Sequence, residues 1–486
     1  MNAGTLTAGV ARIDVTPPVG FRMQGMMRRI GGSIGVESPL LATALVLADD
    51  QTKVAILDCD LFGFDMALDR EMRETIAERV GTTAGHVLLG YTHTHHAPCT
   101  VRGTNGGVHD IGGDPDERKV LEAYIANLVV ELAGLAALAD ADRTPARAAA
   151  GRGTADVAIN REERTPDGHI VVGRNPDGAV DHSVEVLRVD DLEGHPITVL
   201  TGYAAHPVVM GLDTFVLSPD FPGVVRKVVE RVTGATCLYL TGAAGDQATL
   251  SFLQSDWGEN ERMGGIVGAE VAKVFYTIET RPHEVVREAG KSLSNIAHYR
   301  KAFEDGPTHR LLQPATREVE VPLQPLPTLA EAEARLAEAS TVVRELQVAG
   351  KPATEVYPQQ LVERWAAGVV DRVQSGVTQE SLTIEIIGIR LDDFVVLGMP
   401  GEPFVEIGLR AKRHSRATHT MFAGYCNGVL AYWPSAETVA LGGMAVESSV
   451  ITYNISAPPV VETVDIIVGE FAELLDELGL LADADE

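Results

Sequence analysis

Three histidines fall within four positions of Thr92-His93-Thr94-His95-His96-Ala97-Pro98, directly after the apolar run HVLLGY. Neutral imidazole is a good ligand for zinc and related divalent ions, so this cluster is the strongest candidate for metal chemistry in the chain. On an extended strand successive side chains alternate, which sends His93 and His95 to one side and His96 to the other. An ion needs further ligands. His206, in GYAAHPVVMG, and Glu402, in LGMPGEPF, offer a nitrogen and a carboxylate oxygen. Taken singly, His206 also fits a core histidine, and Glu402 fits an acid placed to favour a helix N-terminus. What groups them is shared context: each follows an apolar run that gives way to a loop.

Those residues need elements to hold them. KVAILDCDLFGF reads as a buried strand, DMALDREMRETIAERVG as an amphipathic helix, and HVLLGYTHTHHAP as a strand running into a loop. TCLYLTG, from Thr236 to Gly242, is a further short strand that ends in the small-residue turn GAAGD. Strand, helix and strand at this spacing predict βαβ units in a sheet covered by helices, with ligands bound at strand ends. Two Ala-, Glu- and Arg-rich stretches, Leu326 to Leu346 and Thr354 to Ser375, predict a helical insertion at about 326–376. SLTIEIIGIRLDDFVVLGMPGEPF then reads as two strands joined at Asp392-Asp393, with a helix starting near Glu402. An amphipathic helix and the acidic tail LADADE follow. The expected fold is α/β, with mixed sheets covered by helices and one helical insertion, residues 1–486 forming a single domain.

Composition narrows the function. The 486 residues are 45% hydrophobic, enough for a large buried core. They carry 68 acidic against 40 basic side chains, for a net charge of −28. Nucleic-acid recognition needs a concentrated basic face, so no nucleic-acid partner is expected, nor spontaneous docking on anionic lipid. The most apolar stretch, around Leu128 to Leu138, is interrupted by Glu131 and reads as a core helix, so no integral membrane segment is expected. The N-terminus shows neither a basic n-region nor an apolar h-region. Cys59, Cys99, Cys237 and Cys426 form no CxxC pair and read as free buried thiols in a reducing compartment. A cytoplasmic location follows as an expectation. Assembly into a homo-oligomer stays open.

The histidine run is not HxHxDH, which excludes a metallo-β-lactamase arrangement. THTHHAP instead resembles the THTH-S-G-P signature of neutral/alkaline ceramidases, zinc amidases that cleave the N-acyl bond of ceramide. The likeness extends along the chain in the family's order. GVARIDVTPPVG with MQGM is similar to the family's opening, and GVESPLLATALVLAD to its G-I-H-x-R-L-x-A-R-A-F stretch. Ile159-Asn160-Arg161, His206-Pro207 and Ser218-Pro219-Asp220 resemble later motifs. So do Gly245-Asp246, Pro400-Gly401-Glu402, and Asn427 with Tyr432. The resemblance implies Zn2+ held by His93, His206, Glu402 and Tyr432. It further implies activated water attacking an acyl carbonyl, with His95 and Arg161 binding the oxyanion or the substrate. Asp60 is expected to orient a ligand histidine, and Asp220, Asp246 and Asn427 to support the site from behind.

Several positions depart from the family. Ala248 stands in AGDQATL where the family carries Ser, so a mechanism through that hydroxyl is excluded, while one through metal-activated water survives. The family's second tyrosine after Asn427 has no counterpart; its place falls near Met444. The family's C-terminal β-sandwich domain has no counterpart in this chain. The expected activity is therefore zinc-dependent hydrolysis of an amide in a small-molecule or lipid-like acyl substrate smaller than ceramide. Three alternatives remain: a true ceramidase, a metal-dependent esterase or lactonase, and a non-catalytic binding protein on the same fold.

Overall fold

In the computed structural model the described residues are 5–26, 29–100, 115–289, 296–304 and 311–483. Residues 484–486 of the acidic tail lie outside them. Runs of aliphatic and β-branched residues form an eight-stranded mixed sheet. From edge to edge its strands are Thr236–Thr241, Pro196–Tyr203, Ser183–Asp191, Thr144–Thr154, Thr7–Asp14, Leu41–Ala48, Lys53–Cys59 and Val87–Tyr91. The two halves join only through Thr7↔Pro145 and Ala8↔Thr144. They share a core in which Leu45, Ile56 and Leu88 of one half meet Leu187, Leu200 and Leu240 of the other. Ile387, Ile389 and Val396, from a four-stranded sheet, complete that core. This second sheet runs Leu312–Pro322, Ser381–Leu391, Phe394–Gly398 and His419–Ala423.

Helices cover the outer faces. Met66–Val80 starts at Asp65, whose carboxylate accepts from the Ala67 and Leu68 amides, and stops at Gly81 in the left-handed region, φ 73°. With Pro115–Ala141 it covers the Lys53–Cys59 half. Pro115–Ala141 is long and apolar enough to cross a membrane by length and composition alone. Here its Leu121, Ile125, Leu128, Leu132 and Leu135 are buried in the core. Phe221–Thr233 and Trp257–Thr277 cover the other half. Two helices, Leu329–Val348 and Ala353–Gln374, lie between the paired strands Leu312–Pro322 and Ser381–Leu391. The first opens with a capping box of Thr328 and Glu331. All four cysteines are free and buried.

Two local expectations need correction. The strand before the histidines ends at Tyr91, so THTHHAP is loop and side-chain alternation does not govern it. His93 takes φ 63°, a left-handed conformation that turns the chain back after the strand. Glu402 does not open a helix either. It lies in the short strand Glu402–Pro403, and the helix Val405–Arg413 starts beyond it.

Candidate active site

The loop after Tyr91 is held by its own backbone. Thr92 N–H donates to Cys59 carbonyl and His93 N–H to Leu61 carbonyl, both at 2.9 Å. The Thr94 hydroxyl donates to Ser218 carbonyl at 2.8 Å. The His93 Nδ1 lies 2.7 Å from the Phe62 carbonyl, which can only accept, so Nδ1 carries the proton and Nε2 presents a lone pair. That Nε2 is buried without a hydrogen-bond partner among the described residues. The His206 Nδ1 lies 3.2 Å from the Ala244 carbonyl, which fixes the same tautomer. The Tyr425 hydroxyl, also 3.2 Å from that nitrogen, then points its hydrogen toward Glu402 Oε2 at 3.5 Å.

Three histidine nitrogens consequently cluster, and a carboxylate oxygen of Glu402 stands beside two of them. Glu402 Oε2 is 3.5 Å from His93 Nε2 and 3.8 Å from His206 Nε2. The His95 and His206 Nε2 atoms are 3.0 Å apart. Among the described residues, His93, His95 and His206 offer nitrogens all within 4.8 Å of one another. Burial, reinforced by nearby positive charge including Arg161, holds the pKa values of His95 and His206 well below that of free imidazole. Both rings are therefore neutral. A neutral His95 can donate from Nε2 to the His206 lone pair at 3.0 Å, whereas the His93 Nε2 is left without a hydrogen-bond partner among the described residues, as a lone pair reserved for a cation would be. The donor set, three imidazoles and a carboxylate, fits a divalent metal such as zinc.

Strand register brings Glu402 and Tyr432 together, since the two are direct partners in a parallel pair. Burial would raise the Glu402 pKa. Against that, the Tyr432 and Tyr453 hydroxyls face the carboxylate as hydrogen-bond donors. Arg161 donates twice to the Gly245 carbonyl and once to the Tyr432 hydroxyl, at 3.1 Å. Its Nη1 has no protein partner among the described residues, and the side chain lines the cavity beside the histidines. Gly245 is tied to the Glu402 segment, its N–H donating to Pro403 carbonyl at 2.8 Å. A Cβ on Gly245 would lie 2.6 Å from the Glu402 carbonyl oxygen, so only glycine permits this approach.

The supporting residues divide. Asp246 accepts from Val405 N–H at 2.7 Å and from Asn160 at 2.9 Å, and its carbonyl accepts from Arg161 N–H. It thus couples Arg161 to the Glu402 segment; burial pushes its pKa up to about 6. Asp220 caps the helix Phe221–Thr233 and accepts from Val209 and Met210, fixing the loop after His206. Asn427 bonds both ways with the backbone of Leu89, which anchors the loop carrying Tyr425 to the histidine strand. Asp60 does not orient a histidine. It pairs with Arg226 and accepts from Leu41 N–H, while the Phe62 carbonyl orients His93. Ala248 is buried in a strand bridged to His206 and supplies only a methyl group.

Two tyrosines escaped the sequence reading. Tyr425 immediately precedes Cys426-Asn427, a usable signal. Tyr453 lies in no motif, yet its hydroxyl donates to Glu402 Oε1 and its ring centre is 6.2 Å from that of Tyr432. It supplies a second phenol where Met444 had marked a loss. A cavity of about 300 Å³ opens from this centre, with Met26, Val172, Leu212, Phe252, Leu253 and Met444 among its walls. Gly25 packs on His95: a Cβ at position 25 would lie 2.3 Å from the His95 Nδ1.

The fold is that of a neutral ceramidase-like α/β protein. The crystal structure of neutral ceramidase from Pseudomonas aeruginosa superposes with a TM-score of 0.64 at 18% identity, covering 100% of this chain and 76% of that one. A structure of ceramidase complexed with C2 matches with a TM-score of 0.64 at 16% identity, covering 99% and 77%. No family model matches the sequence.

Proposed function

We infer that the chain is a metal-dependent hydrolase that cleaves an amide bond in an N-acyl substrate. The observation that carries this is the cluster of His93, His95 and His206 with Glu402 beside it, of which His95 and Glu402 line a cavity with apolar walls. The ceramidase-like fold supports the same reading. Zinc fits the donors best, held by His93, His206 and Glu402 with Tyr432 at the edge of the set. His95 is close enough to His206 to serve as a further ligand or as a hydrogen-bond donor to substrate. A divalent ion there supplies Lewis acidity toward a carbonyl oxygen and lowers the pKa of water.

The protein's own groups do the rest. The Phe62 and Ala244 carbonyls keep His93 and His206 in the tautomer that points Nε2 inward. Tyr453 and Tyr432 hold the Glu402 carboxylate. Arg161, anchored through Gly245 and Tyr432, offers a charged donor to an acyl oxygen, where negative charge develops during attack. The apolar walls receive the acyl chain and exclude water. About 300 Å³ is at the lower end of pockets that enclose a small ligand, which favours a substrate smaller than ceramide.

The walls also give the true ceramidase reading one specific support, since Met26, Val172, Leu212, Leu253 and Met444 offer an apolar surface to a longer chain. A hydrolysis screen separates the two, using N-acyl amino acids, N-acyl amines, lactones, simple esters and ceramide, with and without chelator. The expected result is metal-dependent turnover of short N-acyl compounds, lost in Glu402→Ala. Turnover of ceramide alone would move the assignment to ceramidase. Absence of any chelator-sensitive turnover would overturn the hydrolase reading.

A further inference from the structure

A second cavity, of about 350 Å³, lies between the helices Leu329–Val348 and Ala353–Gln374 and the segment 444–452. Pro325, Pro327, Trp365, Val369, Val446 and Val450 make it mostly apolar. Its polar features are specific. The Arg335 guanidinium sits 4.3 Å from the centre of the Trp365 ring, and among the described residues no carboxylate pairs with it. The Ser456 hydroxyl is 4% exposed and its Oγ has no hydrogen-bond partner among the described residues. A buried hydroxyl left unpaired is uncommon and calls for a partner. Arg335 can only donate and Ser456 can donate, so one acceptor would satisfy both. Glu447, on the exposed edge, disfavours more than one negative charge.

We propose that this cavity is a second ligand site for a small amphipathic monocarboxylate, its apolar body against Trp365 and Val450 and its carboxylate accepting from Arg335 and Ser456. The wall between the two cavities gives the site a consequence. Met444, Ser448, Thr452 and Tyr453 face the first cavity, whereas Val446, Glu447 and Val450 face the second. One short segment therefore separates them. It begins as a π turn, Met444–Ser448, a geometry that is rare and often found at functional sites. It ends at Tyr453 on Glu402, and just beyond, Trp365 Nε1 donates to the Ile455 carbonyl at 2.7 Å. A ligand filling the second cavity braces this wall and keeps Tyr453 in place, so it raises turnover. An acid released from an N-acyl bond has this same chemistry, which makes the cavity suited to sensing product. The effect on turnover rests on the hydrolase reading; the binding does not.

Calorimetric titration of the whole protein with octanoate and with 4-phenylbutyrate tests the binding directly. One-to-one binding in the millimolar range or tighter is expected for ligands of this size. Arg335→Gln, at an exposed helix position, should weaken it at least tenfold, and Val450→Trp, which fills the cavity, should abolish it. No saturable binding, or binding that Arg335→Gln leaves unchanged, would overturn the site. Where turnover is measurable, octanoate should raise kcat in the native protein and leave Arg335→Gln unaffected; inhibition in both would overturn the coupling. A chain that hydrolyses nothing in the screen would still give a clear answer in the titration.

Discussion

Arg226, Asp58 and Asp60 are as deeply buried as His93, His206 and Glu402, yet the two clusters follow opposite plans. In the first, a guanidinium bridges two carboxylates: Arg226 Nη1 is 3.0 Å from Asp58, and Nη2 contacts Asp60. Tyr239 N–H and Leu41 N–H donate to the same carboxylate oxygens. A cation sits between the two carboxylates, although one oxygen of each stays without a hydrogen-bond partner among the described residues, and the cluster ties the helix Phe221–Thr233 to strands of both sheet halves. In the second, acceptor faces acceptor: the inward Nε2 lone pairs of His93 and His206 stand 3.5 and 3.8 Å from a carboxylate oxygen of Glu402. Similar burial with opposite compensation separates a structural cluster from one that could hold an ion.

Substitutions can break that distinction. Glu402→Ala should lower metal-dependent turnover by on the order of 10³-fold, about 4 kcal/mol of transition-state stabilisation, with bound metal reduced in elemental analysis. The variant should unfold at nearly the same urea concentration as the native chain. Arg226→Met should do the reverse, since it leaves two buried carboxylates without their cation. Its expected cost is about 3–5 kcal/mol of stability in urea unfolding, with metal content per folded molecule retained. A stable Arg226→Met, or an unstable Glu402→Ala, would remove the contrast.

A pH series sharpens it further. Burial pushes the Asp220 carboxyl from 3.8 up to about 6, although three backbone N–H groups oppose the shift. A folded pKa above the unfolded one means that the contribution is complete below about pH 4 and is lost as pH rises through about 6. Asp220→Asn cannot titrate. The stability advantage of the native chain over this variant should therefore shrink between pH 4.5 and 7.5, by about 2 kcal/mol. A gap that is constant or widens with pH would show that Asp220 is not held this way. The smallest effect is expected at the margin of the ion-receiving cluster. Tyr453→Phe removes one donor to the Glu402 carboxylate and should cost roughly tenfold in kcat without loss of metal. Unchanged kcat would place Tyr453 outside the working site.

What the sequence made legible follows from how local each signal is. His93, His206 and Glu402 could be grouped because each stands where an apolar run gives way to a loop, and the helical insertion because its periodicity spans several turns. Asp60 was misread because its partner, Arg226, lies 166 residues away on another element. No local pattern announces a long-range ion pair. Strand alternation failed at His93 and His95 because the strand ends at Tyr91, short of both histidines. Tyr453 was invisible for a different reason: the π turn before it shifts the facing of later side chains, so helical spacing could not aim it at Glu402.

Gly25 holds a further consequence. With no side chain, it lets the His95 ring rest where a β-carbon would otherwise stand 2.3 Å from its nitrogen. At φ 89° the position also disfavours any other residue. One hydrogen in place of a methyl group thus decides whether a third imidazole can stand beside His206. If the cluster holds a metal as proposed, the number of imidazoles available to it is set from a residue that lines the site with no side chain of its own.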